Sequence, residues 1–413
     1  MSYVDLHDWD RCTRCGSCLT GCPVMLMDRA EARAEIAGLI AGDLSGRATA
    51  ECTLCYSCNR LCPVPGLEPY DLLQQRVLER RGEIPAHIRY FFNDGDEGSV
   101  WGDVHRRMSD SQRRILDSWA EPPPPSPEVL WVGCLARSTS PTDVANSRVL
   151  ADLPKFGPYE LCCGEPQYRL GGWEAFMTVA RRTFETLSRL RTDRLVCYCH
   201  ACSYFLGNVY PKVFGKPLPF EVISMYEWLW ERLQAGELGL EHPLTYDAAV
   251  CESCNLTEMN PSLAHKLRDL YAAAGVRLHE IEHRGIENET CGFAVMGKGQ
   301  TLPASMNMVL SEQRKKYRDV RHSGTRTMAL NCGGCRITFG FTNRFFGMRL
   351  RHMPEELLRA FGDTITEPMS AAFARFMRMF ARRVPGFLLS SREASQGPSS
   401  GRPPGDVDPG VRP

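Results

Sequence analysis

The sequence has no surplus of charge of either sign: 49 Lys and Arg stand against 49 Asp and Glu in 413 residues. A protein whose main work is binding nucleic acid wants a basic excess, so that class is disfavoured. No uninterrupted apolar run approaches the ~18 residues of a membrane-crossing helix. The opening residues, MSYVDLHDWDRC, lack the basic-then-apolar layout of an export signal. The expectation is therefore a cytoplasmic chain, free or held peripherally on the inner face of a membrane. No G-x-G-x-x-G run is present to bind a dinucleotide. Gly292-x4-Gly297-Lys298 begins like a phosphate-binding loop, but Gly299 stands where Ser or Thr belongs, and nucleotide binding there is rejected. The remaining composition, 43% hydrophobic and 24% charged, is that of ordinary globular protein.

Cysteine departs from this plainness. There are 19, an odd number, in a chain too long for a small disulfide scaffold. The first eight repeat one pattern: Cys12-x2-Cys15-x2-Cys18-x3-Cys22-Pro23, then Cys52-x2-Cys55-x2-Cys58-x3-Cys62-Pro63. This is the bacterial ferredoxin run, in which three thiolates of one loop reach three corners of a 4Fe–4S cube and the fourth Cys serves the other cluster. Two cubanes are expected, one on Cys12, Cys15, Cys18 and Cys62, the other on Cys52, Cys55, Cys58 and Cys22. Structural zinc would need paired C-x2-C units, not a triple with a trailing Cys-Pro used twice.

Two helices fit around these loops. Asp28–Ala41 has Asp28 as a possible N-cap and Glu31 three residues on. Glu68–Arg81 places Leu72, Leu73, Val77 and Leu78 on one face. Beyond Pro122–Pro125, a stiff spacer, strands and helices alternate twice in the same order. The first pass is strand Val129–Val132, Gly133-Cys134, a helix near Asp143–Leu153, Cys162-Cys163-Gly164, helix Trp173–Arg191, strand Leu195–Cys197 and Cys199-His200-Ala201-Cys202. The second is strand Tyr246–Val250, Cys254, helix Ser262–Ala274, strand Val276–Ile281, Cys291-Gly292, helix Pro303–Arg318, strand Thr327–Leu330 and Cys332-Gly333-Gly334-Cys335. Alternation implies parallel sheets with helical cover, and the repeated order implies duplication. In both passes the cysteines lie just past strands or at helix starts, where sites of open α/β sheets gather.

Two ferredoxin motifs followed by two such cysteine units resemble the heterodisulfide reductase catalytic-subunit family. Similar layouts occur in the iron–sulfur subunits of glycolate oxidase and of anaerobic glycerol-3-phosphate dehydrogenase. The resemblance covers residues 10 to 340 approximately. It implies a multidomain fold: an N-terminal α-helical two-cluster ferredoxin domain, then two duplicated α/β cysteine-rich (CCG) units with parallel sheets. In that family five cysteines of one unit hold a noncubane 4Fe–4S cluster that binds and splits a disulfide. Cys134, Cys162, Cys163, Cys199 and Cys202 match all five positions, with Cys197 as a spare ligand or a core residue. The second unit matches only at Cys254, Cys291, Cys332 and Cys335, because Thr290 stands where the family has the first Cys of a pair. Four thiolates still suit a further iron–sulfur cluster or zinc, and Cys251 is a candidate fifth ligand from a shifted position.

The expected function is an oxidoreductase subunit that passes electrons from two cubanes to the noncubane centre, where a disulfide or another two-electron acceptor is reduced. The alternative is a relay joining a flavin dehydrogenase to a quinone or other carrier without substrate chemistry; a zinc-stabilised interaction protein is a third reading. Partners would be a flavoprotein or a membrane cytochrome. His200 is either a proton donor to a leaving thiolate or a residue that holds a ligand in place. Glu165 and Arg169 are candidates for shaping the mouth. Met369–Leu389 reads as a basic amphipathic helix, with Phe373, Phe376, Met377, Phe380 and Val384 at helical spacing, suited to a membrane surface, a partner groove or the chain's own core. The expected layout is 1–95 ferredoxin domain, 96–127 linker, 128–240 first unit, 241–345 second unit, 346–389 C-terminal helices and 390–413 disordered tail.

Overall fold

A computed structural model describes residues 1–93, 98–259 and 261–395. The N-terminal region is helical. Asp28 caps the helix Arg29–Ala41 by accepting from the backbone N–H groups of Ala30 and Glu31. The helix Pro69–Arg81 opens on a proline, whose missing donor costs nothing in a first turn, and buries Leu72, Leu73, Val77 and Leu78. Both helices pack with the cysteine loops into a core that continues into the first α/β unit.

The expected linker is more structured than its composition suggests. Helices Val100–His105 and Asp110–Ser118 form within it, the second opened by a capping box of Ser109 and Gln112. Trp101, Met108, Leu116 and Trp119 are buried. These few large side chains anchor short helices by tertiary packing, which leaves little periodic signal.

Each α/β unit holds one four-stranded parallel sheet. In the first, β1 (Glu128–Trp131), β2 (Lys155–Phe156), β3 (Arg194–Cys197) and β4 (Glu221–Ser224) lie in the order β2-β1-β3-β4. In the second, β5 (Asp247–Cys251), β6 (Arg277–His279), β7 (Thr327–Leu330) and β8 (Arg349–His352) lie in the order β6-β5-β7-β8. The inner strands β1, β3, β5 and β7 are buried almost throughout, as in a sheet covered on both faces. β2, β4 and β8 escape a reading of the sequence: one has two residues, and the others are edge strands carrying Glu221 or Arg349 and Arg351. β8 also carries the second sheet past residue 345, the expected end of that unit.

Strand order reverses beside β1 and beside β5. Such switch points open a crevice at the carboxyl ends of the strands. The two crevices face each other. His200, just past β3, reaches Ser253 and Asn255 just past β5, and Tyr226 donates from its hydroxyl to Asn331 O at 2.7 Å.

The C-terminal helix, Met369–Ser395, runs past the expected end at Leu389; residues 396–413 of the expected tail lie outside the described residues. Its apolar face does not point outward. Phe376, Met379, Phe380 and Phe387 are buried against the chain's own core, with Phe373 and Val384 packed beside them. Arg375, Arg378 and Arg382 remain on the solvent side, as do Leu388 and Leu389. No helix among the described residues is long and apolar enough to cross a membrane.

Candidate iron–sulfur and thiol site

The two ferredoxin loops repeat each other residue by residue. Arg14 and Leu54 take φ of 52° and 57°, and Gly16 and Tyr56 take 78° and 74°. Left-handed backbone at a bulky residue costs free energy and persists only where a wrapped loop requires it. Cys15 Sγ and Cys55 Sγ each lie 3.3 Å from a serine hydroxyl two residues on, Ser17 and Ser57. Burial pushes the Cys18 thiol up to about 12, and the thiols that add to this are Cys62, Cys12 and Cys15. Around Cys58, also pushed up by burial, stand Cys52, Cys55, Cys18 and Cys22. The thiols that the spacing groups together thus lie near one another, and Cys18 of the first set also stands near Cys58 of the second. Eight thiols in two cradles, with backbone bent around each, fit two clusters held by thiolates.

In the first unit five thiols form a connected set. Cys134 neighbours Cys162, Cys162 neighbours Cys163, and Cys202 neighbours both Cys163 and Cys199. Contact with Cys162, then burial, pushes Cys134 well above the usual thiol range. Gly133, at φ +70°, is needed here: a Cβ would stand 3.2 Å from Cys202 Sγ and 3.7 Å from Trp131 Nε1. That indole N–H is buried and has no partner among the described residues. An unpaired buried donor costs ~1–3 kcal/mol, and an acceptor cluster seated on the thiols is the kind of group it fits. Cys197 is buried away from this set, with Glu227 as its electrostatic neighbour, and is a core residue.

The second unit gathers four thiols. Cys335 contacts both Cys291 and Cys332, and Cys254 lies near Cys291 and Cys332. Cys251 is not among them; it is buried, with Lys316 and Asp319 as its electrostatic neighbours. Thr290 explains how the turn survives without its cysteine. The Gly164 N–H donates to Cys162 Sγ at 3.5 Å, and the Gly292 N–H donates to Thr290 Oγ1 at 3.2 Å. Both glycines are left-handed, and a Cβ would strike Phe176 at 2.6 Å in one and Val309 at 3.0 Å in the other. The threonine keeps the loop and brings no thiol.

The four thiols of the second unit and four of the first, Cys134, Cys163, Cys199 and Cys202, line one cavity of about 120 Å³. Its remaining wall is strongly apolar and aromatic, with Phe91, Trp101, Phe293 and Phe341, and with Phe376 and Phe380 of the C-terminal helix. Glu165 and Arg169 both line the cavity wall; Arg169 is buried, Glu165 is half-buried, and burial raises the Glu165 carboxyl. Arg169 donates to Cys254 Sγ at 3.3 Å and to Leu54 O at 2.8 Å. Nothing in the sequence could show this, since the partners lie 85 and 115 residues away. His200 does not line the cavity. Its Nε2 lies 2.7 Å from Ser253 Oγ and 2.8 Å from Asn255 Oδ1, and burial lowers its pKa to about 4. A neutral imidazole pinned between the units favours the positional reading over proton donation.

Residues 8–65 match the family model of the 4Fe-4S dicluster domain, and residues 129–207 match that of the cysteine-rich domain. Among curated proteins, a subunit of the dihydromethanophenazine:CoB--CoM heterodisulfide reductase of Methanosarcina barkeri is 23% identical over 381 residues, 81% of this chain and 89% of that protein. Over most of its length the chain is thus similar to heterodisulfide reductase subunits. The EtfAB:quinone oxidoreductase of Syntrophomonas wolfei is 22% identical over 382 residues, 78% of this chain but 52% of that longer protein. A subunit of the fumarate reductase (CoM/CoB) of Methanothermobacter marburgensis is 22% identical over 359 residues, 81% of this chain and 68% of that protein. The chain thus spans about half of one relative and most of another. These likenesses place the heterodisulfide reductase-like chain among iron–sulfur electron-transfer subunits of oxidoreductases.

Proposed function

We propose that the chain passes electrons from a partner redox subunit, a flavoprotein or a membrane cytochrome, to a two-electron acceptor bound between its two cysteine-rich units. Cys12, Cys15, Cys18 and Cys62 would hold one cubane, and Cys52, Cys55, Cys58 and Cys22 the other. Cys134, Cys162, Cys163, Cys199 and Cys202 would hold a noncubane 4Fe–4S centre, and Cys254, Cys291, Cys332 and Cys335 a further cluster or zinc. When bound, such groups supply one-electron transfer and, at the five-thiol set, a site for a sulfur substrate or similar acceptor. The supporting observation is that Cys134, Cys163, Cys199 and Cys202 of the first unit line a strongly apolar cavity, with Cys162 beside Cys134 and Cys163. The protein's own share is to hold the thiols, to keep water out with Phe376 and Phe380, and to bring the second ferredoxin loop against both units. Lys298 donates to Ala50 O at 2.7 Å and to Cys52 O at 2.8 Å, and Ser57 donates to Ile286 O at 2.5 Å.

A second reading, a relay to a quinone-type carrier, is supported by the aromatic wall, which suits a flat apolar ring as well as a disulfide. One experiment tests both. Anaerobically purified protein is analysed for iron and acid-labile sulfide, reduced, and mixed with a disulfide or a short-chain quinone. Disulfide turnover that disappears in Cys163→Ala while the cubane EPR signals persist supports the first reading. Quinone turnover alone, unaffected by Cys163→Ala, supports the relay. Folded protein without iron would overturn both.

A further inference from the structure

Arg169 is an arginine in a place that is expensive for one. It is 2% exposed. Among the described residues no Asp or Glu lies within ion-pair distance of it. Glu165 acts on it only from beyond that distance, and burial favours the neutral form of that carboxyl. The two Nη groups of Arg169 are committed to elements far apart in the chain, one to Cys254 Sγ and the other to Leu54 O of the second ferredoxin loop. The guanidinium stands 4.5 Å from the ring centre of Tyr56 and 5.5 Å from that of Tyr70, and those rings stack on each other at 3.7 Å. Tyrosine faces soften the desolvation of a cation but do not replace a counter-charge. A buried cation normally persists only opposite an anion. Among the described residues, the candidate in contact is the thiol set to which Cys254 belongs.

The five-thiol set of the first unit has no counterpart among the described residues. The buried arginine beside it, Arg137, is spent on carbonyl groups, donating to Tyr159 O at 2.6 Å and Leu161 O at 2.8 Å, with Pro158 O as another partner. The four-thiol set therefore has one thiolate fewer and one touching cation more than the five-thiol set. Both changes act in the same direction. A less negative environment favours the more negative, reduced form of whatever those thiolates hold, and the low polarity of the site makes each charge count.

We propose that Arg169 is the positioning residue of the second unit: its fixed charge balances the Cys254, Cys291, Cys332 and Cys335 set and holds that set at a higher reduction potential than the first unit's, while its other arm locks it to the second ferredoxin loop. The proposal rests on the reading that these four cysteines hold a redox centre. Planarity matters as well as charge. One guanidinium serves two partners on opposite sides, whereas a lysine ammonium on a flexible stem would reach one of them.

The test compares the holoprotein with Arg169→Gln and Arg169→Lys, reading iron per chain and the midpoint potential of each EPR-visible centre in an anaerobic titration. Cys291→Ala identifies the second-unit signal. Arg169→Gln should lower that signal's potential by the equivalent of at least a tenfold change in its one-electron reduction equilibrium, about 59 mV. The Lys variant should recover part of the shift, and the first-unit signal should move least. An unchanged potential in Arg169→Gln with iron retained would overturn the proposal. So would equal loss of second-unit iron in both variants, since packing rather than charge would then be what the residue provides. Should Cys291→Ala remove no signal and no iron in the first place, the underlying assignment of a centre to the second unit fails, and that outcome is visible before any Arg169 variant is made.

Discussion

The two cysteine-rich units share a strand order, a left-handed glycine after the central cysteine, and a backbone N–H aimed at the side chain two residues before that glycine. They part at the identity of that side chain, Cys162 in one and Thr290 in the other. The turn asks only for an acceptor of the right size, and a hydroxyl answers as well as a sulfur. A metal centre asks for a thiolate, which a threonine cannot become. Fold duplication and site duplication are thus held by different atoms of the same loop. The second unit has kept the first and altered the second.

The largest expected effect separates the two units directly. Cys163→Ala should lower acceptor reduction by ~100-fold or more, an activation cost of ~2.7 kcal/mol, while cubane EPR signals stay. Cys291→Ala should remove second-unit iron yet slow turnover less. Anaerobic steady-state assays with parallel iron analysis check this, and equal losses would mean that the units are functionally alike.

Next comes the reverse experiment. Thr290→Cys restores the missing ligand at a position whose backbone already accommodates one. The expected result is a second signal resembling that of the first unit, with stability within ~1.5 kcal/mol of the parent, because the swap nearly conserves volume. EPR of reduced protein and a urea midpoint measure the two halves of the claim. If the signal of the second unit does not change, the loop geometry, and not the lost thiol, sets the difference.

A smaller effect concerns how each loop is anchored. The Thr183 hydroxyl accepts from Cys162 N at 3.2 Å and donates to Cys162 O at 2.8 Å, whereas Gln313 Nε2 donates to Cys291 O at 2.9 Å. Thr183→Val should cost ~1–3 kcal/mol by leaving the buried Cys162 N–H unpaired and Cys162 O with the Tyr210 hydroxyl at 3.4 Å as its partner. Gln313→Leu should cost a similar amount through the buried Cys291 O it unpairs, since the Thr342 hydroxyl that donates to Gln313 Oε1 keeps Tyr317 and Phe339 O as partners. Denaturant midpoints of the two variants show whether the anchors are equivalent.

How much of this is legible in the sequence follows from what each feature depends on. The crossed cysteine sets, the Asp28 cap and the four inner strands are readable because spacing, capping chemistry and runs of apolar residues are local. The short strand β2 and the charged edge strands β4 and β8 are not, because pairing with a neighbour makes them strands. The C-terminal helix is legible as amphipathic, but its apolar side cannot be assigned to the cavity roof without the fold: Phe376 and Phe380 meet Phe91 and Phe341, which come from distant parts of the chain. His200 and Arg169 draw notice in the sequence by standing near Cys202 and Cys163. Their partners, Ser253, Asn255, Cys254 and Leu54, belong to other units, and for both residues proximity in sequence suggests the wrong neighbour.

The same separation of backbone from chemistry recurs on a smaller scale in the two ferredoxin loops. Arg14 and Leu54 occupy equivalent left-handed positions, yet Arg14 is exposed and Leu54 is fully buried. At Arg14 only the backbone penalty matters, so Arg14→Gly should stabilise the protein by up to ~1 kcal/mol through relief of left-handed strain. At Leu54 the same relief is outweighed by lost packing, and Leu54→Gly should destabilise by at least the ~2–5 kcal/mol of a large-to-small core change. Opposite signs at two positions of identical conformation, read as thermal midpoints of iron-loaded protein, would show that cluster wrapping, not the residue it happens to use, imposes the bend. A loss at Arg14 would instead make its side chain a working part of the first loop, and the two loops would no longer be copies of one device.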